Sequence, residues 1–310
     1  IMKKLAGIGN VLVAGFFIAM TSISVLVPSF TVAETIQDHL VHILFILLIS
    51  GIIGLIISNN LILYTGFGCA AALAFFLKSA SNTELKNPEI NDGDKIVIAH
   101  INLSITFPEQ IKNALVNRNI DVISFQEYTP DWAEIIPTIL DTSFKYSSQN
   151  VRMDLYGKMI VSKHPIFENE NIYFDDVPNL NVEIDKNNKR YKIVSTYMMP
   201  ALDNTSRQKA KTQFSVIEKE LTENPQNVIV LGEFNQVYWS GDILTFRHRT
   251  KLLNSRRNVN PSEFKMPYDH IFYSADMECF HFDELNGAES NHIGCVASFQ
   301  VKKNKITRLR

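Results

Sequence analysis

An α/β (α+β) chain, a four-layer sandwich of two mixed β-sheets flanked by helices and preceded by an N-terminal bundle of three transmembrane helices, is what this 310-residue sequence predicts. Two observations predict it. Charge is unevenly divided: residues 1–77 carry only a handful of charged side chains, whereas from Lys78 onward charged and apolar residues interleave as in a water-soluble domain. The soluble part also strings together many short apolar strands with interspersed helical stretches, the pattern of two packed sheets with helices outside. A formal charge of -2 with 46% apolar residues argues against a disordered chain and against a polycation that binds nucleic acid by bulk charge.

The membrane part comes first. Residues 6–27, 40–58 and 61–77 are three apolar stretches, and a helix needs about 20 such residues to cross about 30 Å of hydrocarbon. The third is short, so its span either begins within Asn59-Asn60 or ends with Lys78 snorkelling to the interface. The second and third are apolar all round the helix, unlike the one-sided stripe of a core helix. Lys3 and Lys4 precede the first span, and the following loop to His39 holds Glu34 and Asp38 but no Lys or Arg. That asymmetry puts the N-terminus in the cytoplasm, and three crossings then put the soluble domain outside, in the periplasm of a Gram-negative cell. A signal peptide cleaved near Thr31-Val32-Ala33 is the rival, and it too leaves the domain outside.

Residues 78–94 are a polar linker containing Pro88 and Gly93. The domain, 95–301, opens with a strand from Lys95 to Ile101, then a helix with Pro108 in its first turn that buries Phe107, Ile111 and Leu115. Asp121 to Phe125 is a second strand and Trp132 to Leu140 a short helix despite Pro137. Shorter strands follow at Gly157 to Val161, Asn181 to Ile184 and Tyr191 to Tyr197. An amphipathic helix, Ser206 to Leu221, turns Phe214, Ile217 and Leu221 inward and leads into the strand Val228 to Leu231. Asp269 to Tyr273, Met277 to Phe282 and Gly294 to Val301 complete the strands, and 302–310 is a basic tail.

Polar residues recur where these strands stop: Asn102 after "VIAHI", Gln126 and Glu127 after "VISF", Tyr197 after "IVST", Glu233 and Asn235 after "VIVLG", Asp269 at the start of "DHIF", and Asn291-His292 before "IGCVASF". One Asn at a strand end is ordinarily a turn residue. Six such places in one domain, each offering an oxygen or an imidazole, point to a site.

The order of these pieces resembles the endonuclease/exonuclease/phosphatase superfamily, the DNase I and exonuclease III fold, over about residues 95–301. The resemblance rests on "FQE" at 125–127, "YGKMIVSKHPI" at 156–166, "GEFN" at 232–235, "YDHIF" at 268–272 and "SNH" at 290–292. Three apolar spans ahead of the domain and Trp239-Ser240 after "GEFN" are similar to its bacterial membrane-anchored members. The resemblance implies a metal-dependent phosphoester hydrolase using Mg²⁺ or Mn²⁺, hard cations that take oxygen ligands and keep several waters. It implies Glu127 as principal metal ligand assisted by Asn102, with Asn291 next to the histidine and near the metal. It gives His292 contact with the scissile phosphate or proton transfer, Asp269 the orienting of its ring, and Asn235 the holding of phosphate or attacking water. Tyr197, followed by proline in "TYMMP", matches the exonuclease III branch, in which its hydroxyl donates to a phosphate oxygen.

Two positions depart from the family. Glu233 stands where it has aspartate close to the attacking water, adding one methylene, and a shift of about 1 Å in a catalytic group can cost about 100-fold. Asn291 also replaces an aspartate, keeping an oxygen ligand and losing a charge. The alternative to an active hydrolase is therefore an impaired member that binds a phosphorylated ligand or partner. Nucleic acid, phospholipid and small phosphate esters all remain as substrates.

Other residues carry less. Arg247, Arg249, Lys251, Arg256, Arg257 and Lys265 make a basic segment that reads as a solvated face or a surface for an anionic substrate. His164 and His248 read as surface residues. Cys279 and Cys295 are weighted as unpaired buried thiols over a disulfide. No zinc-type Cys/His spacing, phosphate-binding glycine loop or dinucleotide motif is present.

Overall fold

The computed structural model describes residues 2–26, 36–84, 88–90, 93, 95–104, 106–221, 226–257, 267–287 and 292–302. The chain divides into two compact units: the first takes 1–83 with Gln236–Thr245 and 258–267, the second Glu84–Asn235, Phe246–Arg257 and 268–310.

The first unit holds α1 (Met2–Leu26), α2 (Leu40–Ile56) and α3 (Asn60–Ala80). Asn59 ends the tight turn between α2 and α3 by accepting a hydrogen bond from the Ile62 amide at 3.3 Å, as an N-cap should. The two helices approach so closely that a Cβ on Gly66 would stand 2.7 Å from the Gly51 nitrogen. The three-span expectation is corrected here. Among the described residues two helices are long and apolar enough to cross a membrane, Gly7–Leu26 and Asn60–Ala80. The expected second span is only 17 residues, about 26 Å at 1.5 Å per residue and short of about 30 Å. The stretch expected to be short instead runs to Ala80, with Lys78 in its last turn reaching the Asn82 carbonyl. Losing one crossing removes the parity on which an extracytoplasmic domain was argued. Trp239, fully buried, donates its indole N–H to the Gln37 carbonyl at 2.6 Å, which fixes the 236–245 segment to this unit.

The second unit is built on two six-stranded sheets. Its strands are β1 (Lys95–Asn102), β2 (Val122–Gln126), β3 (Tyr146–Asn150), β4 (Lys158–Ser162), β5 (Ile166–Phe174), β6 (Val177–Lys186), β7 (Lys189–Tyr197), β8 (Val228–Glu233), β9 (Leu253–Asn254), β10 (Asp269–Tyr273), β11 (Met277–Asn286) and β12 (His292–Val301). Sheet one runs β11-β12-β1-β2-β4-β3 and sheet two β5-β6-β7-β8-β10-β9. Each contains one parallel pair, β1 with β2 and β7 with β8, among antiparallel neighbours. Helices α4 (Pro108–Leu115), α5 (Pro130–Ile139), α6 (Asn204–Glu220) and α7 (Gly241–Thr250) complete the described elements. α4 and α5 bury Ile111 and Ile136 on the outer face of sheet one with Val97, Ala99 and Ile123. The sheets face each other through Ile96, Ile98, Val122, Ile160, Ile193, Ile229, Leu231, Ile271 and Phe299.

The fold class is as expected for the sandwich, with three strands, β3, β5 and the two-residue β9, and one helix beyond those predicted. β3 ("YSSQN") and β5 ("IFENENIYF") are edge strands whose side chains are mostly exposed, so no alternating apolar pattern announces them. Cys279 and Cys295 are buried free thiols, as weighted.

Candidate active site

Period two along each strand decides which residues reach the site. On β1, Ile96 and Ile98 belong to the inter-sheet core, so His100 and Asn102 point the same way. The same parity carries Ser124 and Gln126 on β2, Ser195 and Tyr197 on β7, Glu233 on β8 and Asp269 on β10. The site therefore continues the inter-sheet core beyond its last apolar layer. Ser124 and Ser195 mark the transition, with hydroxyls 2.7 Å apart across the two sheets. His292 has the wrong parity for its strand, but a bulge at Ile293 between the pairs Leu285–Gly294 and Asn286–His292 turns it toward the others.

Two carboxylates meet at one amide. Asn102 Nδ2 donates to Glu233 Oε2 at 2.7 Å and to Glu127 Oε1 at 3.2 Å, while its Oδ1 accepts from the Ser104 amide and hydroxyl. Glu127 lies just past β2 in a left-handed conformation, φ 58°, which aims its carboxylate back across the strand end. Gln126 adds a second tie, accepting from the Glu233 amide at 3.2 Å. Burial raises Glu233 to about 8, Asp269 and Glu127 add repulsion, and the Asn102 bond opposes them.

Beside them lies a buried imidazole network. Asp269 pairs in register with Glu233 and accepts from His292 Nε2 at 2.6 Å on one oxygen and from His100 Nε2 at 3.2 Å on the other. Burial alone would raise the Asp269 carboxyl, but the two histidine hydrogen bonds outweigh it and hold it well below the usual range. Burial pulls His292 down, yet its hydrogen bond to Asp269 and the charge of Glu284 leave it raised. His292 Nδ1 faces Glu284 Oε2 at 3.7 Å, and Glu284 is itself bonded to the Arg256 guanidinium, whose other nitrogen reaches the Asp269 carbonyl. With both ring nitrogens turned toward carboxylates and 22% of the side chain still exposed, His292 is arranged as a charged imidazolium and proton donor rather than a free base.

The third group is Tyr197 and Asn235. Tyr197 is raised to about 12, chiefly by burial, against a hydrogen bond with Asn235. Asn235 also donates to the Met198 carbonyl at 2.8 Å and takes a left-handed φ of 52°. The Tyr156 ring meets Tyr197 edge-on, centroids 5.6 Å apart.

Of the expected site residues, Asn102, Glu127, Tyr197, Glu233, Asn235, Asp269 and His292 stand at the same strand ends, and Asn291 lies outside the described residues. Asn102 presents its N–H to the two carboxylates and its Oδ1 to Ser104. Sequence reasoning missed His100, Glu284 and Arg256. His100 was findable from its parity with Asn102, two residues on. Arg256 was assigned to a basic surface, but it is 1% exposed and ion-paired to Glu284. Its neighbour Arg257 donates to the Cys279 carbonyl, so the segment is not a free cationic face. Lys265 lies outside the described residues. His164, expected at the surface, is hydrogen-bonded to Asp121 at 2.8 Å.

No three His, Cys, Asp or Glu side chains converge as a closed metal cage among the described residues. A hard divalent cation does not require one, since it is held by one or two carboxylates and keeps its waters. The Glu127 and Glu233 oxygens that converge on the neutral Asn102 amide are the kind of donors such an ion takes, so these residues fit Mg²⁺ or Mn²⁺.

The protein is thus a two-sheet α/β sandwich with acidic, amide, phenol and imidazole groups gathered at the ends of its central strands. Residues 102–292 match the profile of the Endonuclease/Exonuclease/phosphatase family, well over half of the chain, and the protein belongs to that family. No curated protein matches it. Solved structures share the fold at low identity. A functionally unknown conserved protein from Enterococcus faecalis V583 superposes with a TM-score of 0.54 at 13% identity, covering 67% of this chain and 100% of the other. TDP2 of D. rerio complexed with single strand DNA product gives 0.53 at 14%, covering 67% and 99%. The human Nocturnin catalytic domain with bound sulfate anion gives 0.52 at 14%, covering 67% and 95%.

Proposed function

We propose that the protein is a membrane-attached phosphoester hydrolase dependent on Mg²⁺ or Mn²⁺. The observation that carries this reading is the meeting of Glu127 and Glu233, from different sheets, on the Asn102 amide beside the Asp269–His292 pair. Family membership supports hydrolysis of a phosphoester, and the apolar helices 7–26 and 60–80 support attachment to a bilayer. Glu127 would hold the metal, which when bound would place positive charge on the phosphoryl oxygens and lower the pKa of a water. Glu233, raised to about 8, stands near the pH at which a general base works best. The imidazolium of His292, fixed by Asp269, would offer positive charge to the phosphate, and Tyr197 and Asn235 would add hydrogen-bond donors. The test is hydrolysis of bis(p-nitrophenyl) phosphate by the full chain with added Mn²⁺. Glu127→Ala should reduce the rate by about 100-fold or more; an undiminished rate in that variant refutes the metal assignment.

A second reading, an impaired member that binds phosphorylated ligands without turnover, is favoured by one observation. The longer Glu233 side chain reaches Asn102 and spends a carboxylate oxygen there. Glu233→Asp separates the two readings: a rate gain of about tenfold or more supports impairment, and a loss supports Glu233 as the working base.

A further inference from the structure

The active-site end of the second unit carries an unusual set of exposed apolar side chains. Phe107, Val151, Met153, Leu155, Tyr173 and Leu202 are 67%, 39%, 84%, 48%, 54% and 87% exposed. They come from separate loops and strand ends, yet hydrogen bonds and ring packing tie the central ones to the catalytic residues. The Arg152 amide donates to the Tyr128 carbonyl at 3.1 Å, one residue beyond Glu127, and the Tyr128 amide donates to Gly157 at 3.0 Å. That fixes the 151–156 loop to the Glu127 turn, and Tyr156 at its end packs on Tyr197. The loop carrying Leu202 leaves β7 at Met198, whose amide donates to the Glu233 carbonyl at 2.9 Å and whose carbonyl accepts from Asn235. Tyr173 stands at the same end of β5, beside the Asp175-Asp176 turn that Arg152 reaches.

From this placement we propose that these loop tips are a bilayer-docking rim around the active site, so that its substrate is the phosphoester headgroup of a lipid still embedded in the membrane. The proposal rests on the phosphoesterase reading. A bilayer suits the pattern because isolated protruding side chains can each enter the interface, while a protein partner needs a continuous complementary surface. The carboxylates among the tips are engaged: Asp154 and Asp176 pair with Arg152, and Asp203 caps α6. Asp175 beside them is exposed, which favours a zwitterionic surface over an anionic one. The same chain also carries the apolar helix Asn60–Ala80, and only residues 81–94 separate it from β1. Fourteen linker residues span at most about 50 Å, so Lys95 stays tethered within that reach of the end of the helix.

The experiment uses the full chain in phosphocholine nanodiscs. Met153→Cys and Leu202→Cys are labelled with an environment-sensitive fluorophore and challenged with spin-labelled lipid. Tyr146→Cys and Phe167→Cys, exposed at the far ends of their strands, serve as controls. Docking predicts quenching of about twofold at 153 and 202, as for side chains about 5–10 Å into the headgroup boundary, and none at 146 or 167. Unquenched tips, or equal quenching at all four positions, overturn it. Met153→Asp with Leu202→Asp should lower hydrolysis of a nanodisc phospholipid by about tenfold and leave bis(p-nitrophenyl) phosphate hydrolysis unchanged; an equal loss on both substrates counts against the rim. A wild-type chain that cleaves neither substrate removes the phosphoesterase reading, while the quenching pattern still decides the docking.

Discussion

In sheet one, Gly294 lies against β1 at φ 158°, where a Cβ would stand 1.9 Å from the His100 carbonyl oxygen. In sheet two, Gly232 lies against β7 at φ 142°, with the same 1.9 Å to the Thr196 carbonyl oxygen. The likeness continues past the parallel pairs, where Glu127 follows β2 at φ 58° and Asn235 follows β8 at φ 52°. The chemistry does not repeat. Sheet one contributes Asn102, Glu127 and the imidazoles of His100 and His292; sheet two contributes Tyr197, Glu233, Asn235 and Asp269. Four close interactions of the site cross between them, Asp269 with both histidines and Glu233 with Asn102 and Gln126. One backbone device, used twice, thus builds two half-sites that have little chemistry apart.

The sharpest way to break that complementarity is Asp269→Asn, which keeps the shape and removes the carboxylate shared by two imidazoles. It should lower phosphodiester turnover by about 1000-fold, since the imidazolium loses its counter-charge and its orientation. A loss below tenfold would show that the cross-sheet pair is not part of the chemistry. Next come the glycines. Gly232→Ala and Gly294→Ala each force a Cβ into a carbonyl oxygen, and each should destabilise the second unit by about 3 kcal/mol or more in urea unfolding. Equal costs support the likeness of the two strand ends, and tolerance of one alone breaks it.

The smallest effect tests the tie between the sheets. Lys158 of β4 is fully buried and donates to the Pro178 carbonyl on sheet two at 2.7 Å and to the Tyr156 carbonyl at 3.2 Å. Burial lowers it to about 7, against the weaker attraction of Asp154. The unfolded chain keeps this lysine protonated to about 10.4, so between the two values it binds more protons than the folded one and stability rises with pH. Below about 7 both states are charged and the penalty is constant. The wild type should therefore gain up to about 1.4 kcal/mol per pH unit relative to Lys158→Met across that window. Parallel pH profiles for the two proteins would show that Lys158 is charged in the folded state.

Much of the fold was legible because inter-sheet strands such as "VIAHI" and "VIVLG" owe their apolar runs to burial on both faces. β3 and β5 were not legible, since an exposed edge strand exists only through the neighbour that pairs with it. Site residues at strand ends were legible as polar groups following apolar runs. Arg256 and Glu284 were not, because a buried charge looks like a surface charge until its partner is known, and 28 residues separate the two.

The sequence by itself determined the division between apolar helices and the charge-rich remainder, the sandwich class, and the strand ends at which polar groups gather, all of which follow from local hydrophobic period. Tertiary structure decided what local period does not encode. Helix length, set by the tight turn at Asn59, left two candidate membrane spans where three were expected. The packing of one sheet on the other brought Glu127 to Glu233 and Asp269 to His292. Those meetings depend on the register between strands far apart in the chain, and register is fixed by how the two inner faces pack.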